Sequence, residues 1–189
     1  MGQGVGDEGG GSGNGVPGSW VEPPELCQWC GRVRDGVPGA RPNQLDSRHE
    51  ALDVKPEDLL DGSSAQGQNT EARLRNNLDI AVAYTAVWLS GNGAVAIHNR
   101  MEDAATAEIS RAQVWQQIRN DVLLADTGET VTRDLVSRRL DEEVEKLRVE
   151  VTAEQFEAYY RPAADLVRHL CLDEGFVDFL TLPAYELVA

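Results

Sequence analysis

The chain has 189 residues and a formal net charge of −15 at pH 7. This length suits one domain with an apolar core and is too short for two complete catalytic domains. The negative charge repels phosphate backbones and anionic head groups, which argues against nucleic acid and membrane surfaces as partners. The chain has no signal-peptide pattern and an odd number of cysteines, three, so we predict a cytoplasmic protein.

The N-terminal part differs in composition from the rest of the chain. Glycine recurs almost every second residue over residues 1–18, so ordering this stretch would cost more backbone entropy than its few apolar residues return. Residues 19–40 show neither a helical nor a strand period, and we predict irregular structure there. The predicted organisation is therefore a disordered or irregular leader at residues 1–40 and a folded domain at residues 41–189.

Helical periodicity dominates the second part. A short helix is predicted at Pro56, because proline is tolerated in a first helical turn. Longer helices are predicted at residues 70–90, with Gly91 as the stop, at residues 132–148 and at residues 152–171. The apolar positions that define these three helices are Leu74, Leu78, Val82, Thr85, Leu89, Leu135, Leu140, Val144, Leu147, Phe156, Tyr159, Leu166 and Leu170.

Two further helices are predicted between the first two long ones. A loop leads to Met101, and a short helix contains residues 102–108. The next helix starts at Ser110, because Ser110 and Gln113 have the spacing of a capping box, and it buries Val114, Trp115 and Ile118. No segment after Arg41 alternates like a strand, so the predicted fold class is all-α, a bundle of about five helices.

The C-terminal stretch, residues 176–189, is rich in apolar side chains. An uncovered apolar patch of this size is unusual on a soluble protein. We therefore expect this stretch to pack against another surface.

Two adjacent carboxylates, Glu102 and Asp103, stand where a helix is predicted to begin. Acidic residues in a first helical turn complement the helix dipole and are common for that reason alone. Neighbours in a helix point about 100° apart, so the two carboxylates would not share one task. Spacing by itself leaves a structural role and a catalytic role both open.

The residues around this pair resemble the signature of malate synthases of the shorter bacterial and plant type. The resemblance is carried by residues 101–111, by the preceding residues 90–97, and by residues 41–45 and 178–185. It covers residues 41–189 in order and without large gaps. It implies the C-terminal helical plug of such an enzyme, without the TIM barrel whose mouth the plug closes.

What the resemblance implies chemically is the condensation of acetyl-CoA with glyoxylate and hydrolysis of the thioester, giving malate and CoA in the glyoxylate cycle. The catalytic base of the family is the aspartate of its Met-Glu-Asp sequence, which corresponds to Asp103. The barrel carries Mg²⁺, glyoxylate and an enolate-stabilising arginine in this family. Neither Arg100 nor Arg111 is assigned that arginine's role, and no metal ligand is predicted in this chain.

Two departures from the family pattern leave an alternative open. Ala94 and Ala96 stand where many relatives have cysteine and proline. Residues 24–40 lack the amphipathic pattern expected in the family, which a reading-frame error would explain. The alternative is a catalytically inactive truncated fragment or a helical interaction module, partnered by a barrel-bearing chain or by a second copy. We expect no malate from the 189-residue chain alone.

The pair Cys27 and Cys30 has the spacing of some metal and redox sites. A structural zinc needs four ligands, and His169 and Cys171 would face different directions on a predicted helix. A thioredoxin-like site would need a βαβ context that the predicted fold lacks. We therefore interpret the cysteine pair and the three histidines as ordinary structural or surface residues.

Overall fold

The computed structural model describes residues 24–35, 55–62, 67–98 and 100–188. The chain divides into two units, Met1–Ala65 and Gln66–Ala189, and each is considered by itself. The disorder predicted at residues 1–18 and the domain boundary predicted after Ala40 lie outside the described residues. Within the described part, no helix is long and apolar enough to cross a membrane.

Two helices are described in the first unit, α1 (Pro24–Asp35) and α2 (Pro56–Leu60). Helix α2 was predicted, and the Lys55 N–H donates to Asp58 Oδ2 at 3.1 Å across its first turn. Helix α1 was not, and the prediction of irregular structure at residues 19–40 is wrong over this segment. Its sequence begins with proline, which is tolerated in a first helical turn. The helical period that the prediction denied is present, since apolar residues recur at spacings of three and four, namely Leu26, Trp29, Cys30 and Val33.

The second unit contains α3 (Glu71–Leu89), β1 (Val95–Ile97), β2 (Arg100–Glu102), α4 (Ala104–Arg119), α5 (Arg133–Glu150), α6 (Ala153–Gln155), α7 (Arg161–Leu172) and α8 (Thr181–Ala184). A π-helical turn, Phe156–Tyr160, joins α6 to α7, and a 3₁₀ turn, Tyr185–Leu187, follows α8. The predicted all-α fold class is confirmed, since helices form nearly all of the regular structure in the described residues.

Helix α3 is the central element of this unit and packs against α4, α5 and α7. Thr70 caps its start by accepting the Arg73 N–H at 3.3 Å. Gly91, with φ of +98°, follows its end in the left-handed conformation that glycine adopts without strain. The predicted stripe of α3 is buried, which confirms the helix and its orientation. The buried members are Leu74, Leu78, Val82, Thr85 and Leu89.

A short antiparallel hairpin of β1 and β2 follows α3. Val95 pairs with Glu102 and Ile97 pairs with Arg100, with His98 in the turn at φ of +49°. The prediction that no strand follows Arg41 is therefore wrong for these two segments. Strands of three residues are too short to show the alternation on which the prediction relied.

Helix α4 replaces the two helices predicted in this region. It runs without a break past Ser110, which lies inside the helix and is 3% exposed. Gln113 accepts a hydrogen bond from Asn77 Nδ2 at 2.9 Å instead of closing a capping box. No glycine or proline interrupts the sequence here, and burial of Ala107 and Val114 with Ser110 favours one continuous helix.

The starts of α5 and α6 agree with the sequence analysis. Thr132 Oγ1 accepts the Leu135 N–H at 3.1 Å. Thr152 and Gln155 form a capping box, with both reciprocal hydrogen bonds at 3.2 Å. The π-helical turn precedes Pro162, which has no N–H to donate to the preceding turn.

The C-terminal stretch is only partly covered by the rest of the unit. Leu180 and Ala184 are buried in the core, which confirms packing for these residues. The ring of Tyr185 contacts that of Trp88, with a centroid separation of 5.0 Å. Phe179 and Leu182 of this stretch are 60% and 59% exposed.

Candidate active site at Asp103

Asp103 lies between β2 and α4, and its side chain caps the helix. Its backbone is extended, with φ of −124° and ψ of −177°, and its Oδ1 accepts the Thr106 N–H at 3.2 Å. The side chain is exposed. A carboxylate at this position faces the positive end of the helix dipole.

Glu102 belongs to β2 rather than to a helix, which corrects the predicted short helix at residues 102–108. Side chains of successive residues in extended backbone point to opposite sides. Glu102 is 8% exposed and turned inward, whereas Asp103 faces outward. The two carboxylates therefore lie in different environments. The cause is the extended backbone, not the 100° spacing of neighbours in a helix.

Tyr84 fixes the loop that precedes the hairpin. Its ring is buried at 1% exposure, and its Oη donates to the Gly93 carbonyl at 3.0 Å. Burial raises the pKa of Tyr84, and the nearby Asp103 carboxylate raises it further. The phenol therefore remains a hydrogen-bond donor across the neutral range. Tyr84 lies outside the stripe predicted for α3, and a single aromatic residue in a helix gives no sequence signal of a hydrogen bond to a loop.

His98 and Asp79 join the hairpin turn to α3. His98 Nε2 lies 2.5 Å from Asp79 Oδ2, with the two side chains 58% and 14% exposed. The hydrogen bond to Asp79 raises the pKa of His98 above its ordinary value. The sequence pattern does not indicate this pair, because His98 and Asp79 are 19 residues apart in the chain.

Arg111 is turned away from solvent and holds the C-terminal stretch. Its side chain is 1% exposed and forms an ion pair with Glu108 at 2.7 Å. Its Nη2 donates to the carbonyls of Val177 and Asp178, at 2.6 Å and 3.1 Å. Arg100, by contrast, is exposed on β2.

No three His, Cys, Asp or Glu side chains in the described residues are grouped so that they could hold a metal ion. The described residues therefore provide no ligand set for the Mg²⁺ that the resemblance implies. Cys27 is exposed and Cys30 half-buried, both on α1. Burial raises the pKa of the Cys171 thiol to about 12, which makes it a poor nucleophile.

A groove of about 310 Å³ lies between α5 and α7, lined by Arg148, Phe156 and Arg168 among others. Asp103 is not among its lining residues. The candidate base is exposed on the second unit, where a further surface would be needed to exclude water.

Comparison with known proteins bears on this arrangement. The family described as malate synthase, C-terminal, matches residues 68–188. This match includes the hairpin, Asp103, α4 and the C-terminal stretch. It begins close to the boundary between the two units, at Ala65 and Gln66.

Individual malate synthases are similar over most of this chain. The Streptomyces clavuligerus malate synthase is 42% identical over 92% of the chain. Malate synthase A of Escherichia coli is 38% identical over 93%, and the glyoxysomal malate synthase of Zea mays is 39% identical over 92%. These shares exceed residues 41–189, so the similarity begins before Arg41.

The chain spans about a third of the length of these relatives, with 32% of the Streptomyces protein and 33% of the Escherichia coli protein covered. The family match covers well over half of the chain itself. The chain belongs to the malate synthase family and corresponds to its C-terminal region.

Proposed function

We propose that this chain forms the C-terminal helical part of a malate synthase, in which Asp103 is the catalytic base. The observation that carries the proposal is an exposed carboxylate at the N-terminus of α4, inside the matched residues 68–188. The reaction is the condensation of acetyl-CoA with glyoxylate and water to give malate and CoA, as in the glyoxylate cycle.

Asp103 would take a proton from the methyl group of acetyl-CoA. The electron pair of the broken C–H bond forms the enolate, whose carbon attacks the aldehyde carbon of glyoxylate, and water then cleaves the thioester. A general base must be ionised and within reach of the proton. Asp103 lies at the positive end of the α4 dipole. Within the described residues, the Thr106 N–H binds Oδ1 and no hydrogen bond reaches Oδ2, which leaves one oxygen for the proton.

Glyoxylate and Mg²⁺ would bind to residues outside the described chain. The described residues do not fit a metal site. An acetyl-CoA methyl group brought to Asp103 would have to be held between this surface and a barrel. Polypeptide with this sequence alone would then release no CoA.

Exposed apolar side chains near the candidate base support a covering surface. Met101 and Ile109, close to Asp103 in sequence, are 38% and 58% exposed. Phe179 and Leu182 of the C-terminal stretch are also exposed. A barrel seated on these residues would cover the apolar surface and exclude water from the reacting groups.

The same exposed side chains favour a second candidate function. A helical interaction module without catalysis would also present an apolar face to a barrel-bearing chain or to a second copy. The two functions differ in what Asp103 does. In the module it is only the cap of α4.

The test is a chimera in which residues 66–189 replace the corresponding C-terminal part of Escherichia coli malate synthase A. CoA release is followed with acetyl-CoA, glyoxylate and Mg²⁺. Asp103→Asn should lower turnover at least about a hundredfold, the scale expected for loss of a general base. Asparagine caps helices as well as aspartate does, so the fold should remain.

Glu102→Gln is the matched variant, because it neutralises the adjacent carboxylate without touching the cap. It should reduce turnover much less than Asp103→Asn. Equal and small losses of turnover in both variants would indicate that Glu102 and Asp103 have only a structural role, and would favour the interaction module.

We also propose a cytoplasmic location, supported by the odd number of cysteines, which suits a reducing compartment. Cell fractionation followed by detection of the chain would test it. Recovery in a membrane or organelle fraction would contradict it.

A further inference from the structure

The segment that leads to Asp103 is fixed to α3 at two separate points. Before β1, Tyr84 Oη donates to the Gly93 carbonyl at 3.0 Å. In the turn of the hairpin, His98 Nε2 meets Asp79 Oδ2 at 2.5 Å. Both anchors come from the buried central helix, and β2 ends one residue before Asp103.

The turn itself needs an anchor. His98 has φ of +49°, in the left-handed region that non-glycine residues adopt only at a cost. The hairpin has only three residue pairs, which is too few for stability without tertiary contacts. Tertiary contacts therefore hold the hairpin in place, with β1 packed against α3 and β2 packed against α4.

We propose that Tyr84, Asp79 and His98 are positioning residues, which hold the hairpin so that the Asp103 carboxylate has a fixed place. The anchoring of the hairpin is inferred from its contacts with Tyr84 and Asp79 alone. The role in catalysis rests on the proposed function of Asp103. Displacement of a catalytic group by about 1 Å is enough to lower a rate strongly, so a loosened hairpin should reduce turnover.

The charges around His98 give this anchor a pH dependence. The hydrogen bond to Asp79 raises the pKa of His98, burial opposes the change, and Glu150 of α5 and Glu102 of β2 raise it further. Tyr160, in the π-helical turn, lies near Asp79 and Glu150 as well. The charged contact is complete below the ordinary histidine value of 6.5 and is lost as the pH rises through the raised pKa.

The first measurement is amide hydrogen exchange of the 189-residue chain, for a peptide covering residues 95–102. His98→Asn removes the titrating group, and asparagine tolerates the left-handed backbone. At pH 6 exchange should speed up about two- to fivefold, as expected for loss of an exposed ion pair. After correction for intrinsic exchange, this difference should vanish as the pH rises through the raised pKa of His98.

His169→Asn is the matched control. His169 also pairs with an aspartate, Asp173, at 3.5 Å, and its side chain is 60% exposed against 58% for His98, but it lies on α7. This variant should leave exchange in the hairpin unchanged. Tyr84→Phe keeps the buried ring and removes only the donor, so hairpin exchange should rise about three- to tenfold at every pH.

The second measurement is turnover of the chimera described above. His98→Asn and Tyr84→Phe should lower kcat several-fold with little change in KM, since the position of the base changes and substrate binding does not. The reduction by His98→Asn should be largest at low pH. His169→Asn should leave kcat unchanged.

The outcomes separate the two proposals. Unchanged hairpin exchange in both His98→Asn and Tyr84→Phe would overturn the anchoring. Faster exchange with unchanged kcat, in a chimera that Asp103→Asn inactivates, would overturn the positioning role alone. Full turnover of the Asp103→Asn chimera would overturn the proposed function and with it the positioning of a base, while the exchange rates would still decide the anchoring.

Discussion

Helices α4 and α5 each carry a glutamate three residues before an arginine, and the two pairs end in opposite environments. On α4 the pair is Glu108 and Arg111, and on α5 it is Glu145 and Arg148. Arg111 is 1% exposed, whereas Arg148 is 53% exposed. Each guanidinium also lies over a phenylalanine ring, at 4.3 Å and 5.5 Å respectively. Local sequence spacing alone would have predicted two equivalent ion pairs.

The difference comes from the C-terminal stretch. Arg111 donates to the Val177 and Asp178 carbonyls, and Glu108 Oε1 accepts the Leu180 N–H at 2.6 Å. These bonds offset part of the desolvation of a buried charge, which would otherwise be costly, and Arg111 Nη1 is buried without a hydrogen-bond partner in the described residues. Arg148 has no such backbone partner in the described residues and keeps its hydration. A glutamate and an arginine at the same spacing therefore anchor the C-terminal stretch to α4, whereas on α5 they form only a surface ion pair.

The largest expected effect is on stability at Arg111. Arg111→Met should lower the free energy of unfolding by about 3 kcal/mol, at the lower end for breaking a buried pair, because Glu108 keeps some access to water. Urea denaturation of the full chain would measure the loss. Hydrogen exchange should show the C-terminal stretch opening with it.

Arg148→Met is the matched control and should cost less than about 1 kcal/mol, as for exposed pairs. The double variant Glu108→Gln, Arg111→Met should recover part of the loss, because no uncompensated carboxylate remains. Equal losses at Arg111 and Arg148 would contradict the distinction between the two pairs.

The next effect concerns the starts of the same two helices, which Asp103 and Thr132 cap in the same way. Asp103→Thr keeps a capping oxygen, so the free energy of unfolding should change by less than about 1 kcal/mol. Turnover of the chimera should nevertheless fall at least about a hundredfold, since threonine cannot act as the base. The reciprocal change, Thr132→Asp, should alter neither quantity much. Retained turnover in Asp103→Thr would indicate that Asp103 only caps its helix, as Thr132 does.

A smaller effect is expected from removing a cap on α5. Thr132→Ala should cost about 1 kcal/mol, because the Leu135 N–H loses its acceptor, and Thr132→Ser should cost almost nothing. Chemical denaturation of both variants would measure the difference. Similar losses in the two variants would indicate that methyl packing rather than capping stabilises this helix start.

The smallest effect is a pH dependence of the ion pairs that α5 makes with α3. Hydrogen bonds from Arg75 and then Arg139 hold the pKa of Glu142 below its ordinary value of 4.5. A depressed pKa contributes stability above that ordinary value and loses it as the pH falls through the lower folded value. Below pH 4.5 the Tm should therefore fall less steeply in Glu142→Gln than in the unchanged chain. Arg75→Met should flatten the same acid limb, and a steeper limb in either variant would contradict the assignment.

Residues with local partners were predicted well from the sequence. Thr70, Thr132 and Thr152 cap the helices predicted to start with them, because a cap needs only a side chain and an N–H two or three residues away. The interrupted helix at Ser110 was wrong for the converse reason. The same residue types at the same spacing can occur inside a helix or at its start. Only the packing of the helix determines whether they form a capping box.

The candidate site shows the same division. The sequence alone determined the helical class, the core stripes and, through its resemblance, the family, and it made Asp103 the candidate base. Only the tertiary structure decided that Glu102 turns inward, that Tyr84 and Asp79 contact the hairpin segment, and that a buried arginine bonds to the C-terminal stretch. Periodicity and caps depend on neighbours within one or two helical turns, so a local stretch of sequence can predict them. These contacts instead join residues that only the packing of the elements brings together, and no local pattern predicts that packing.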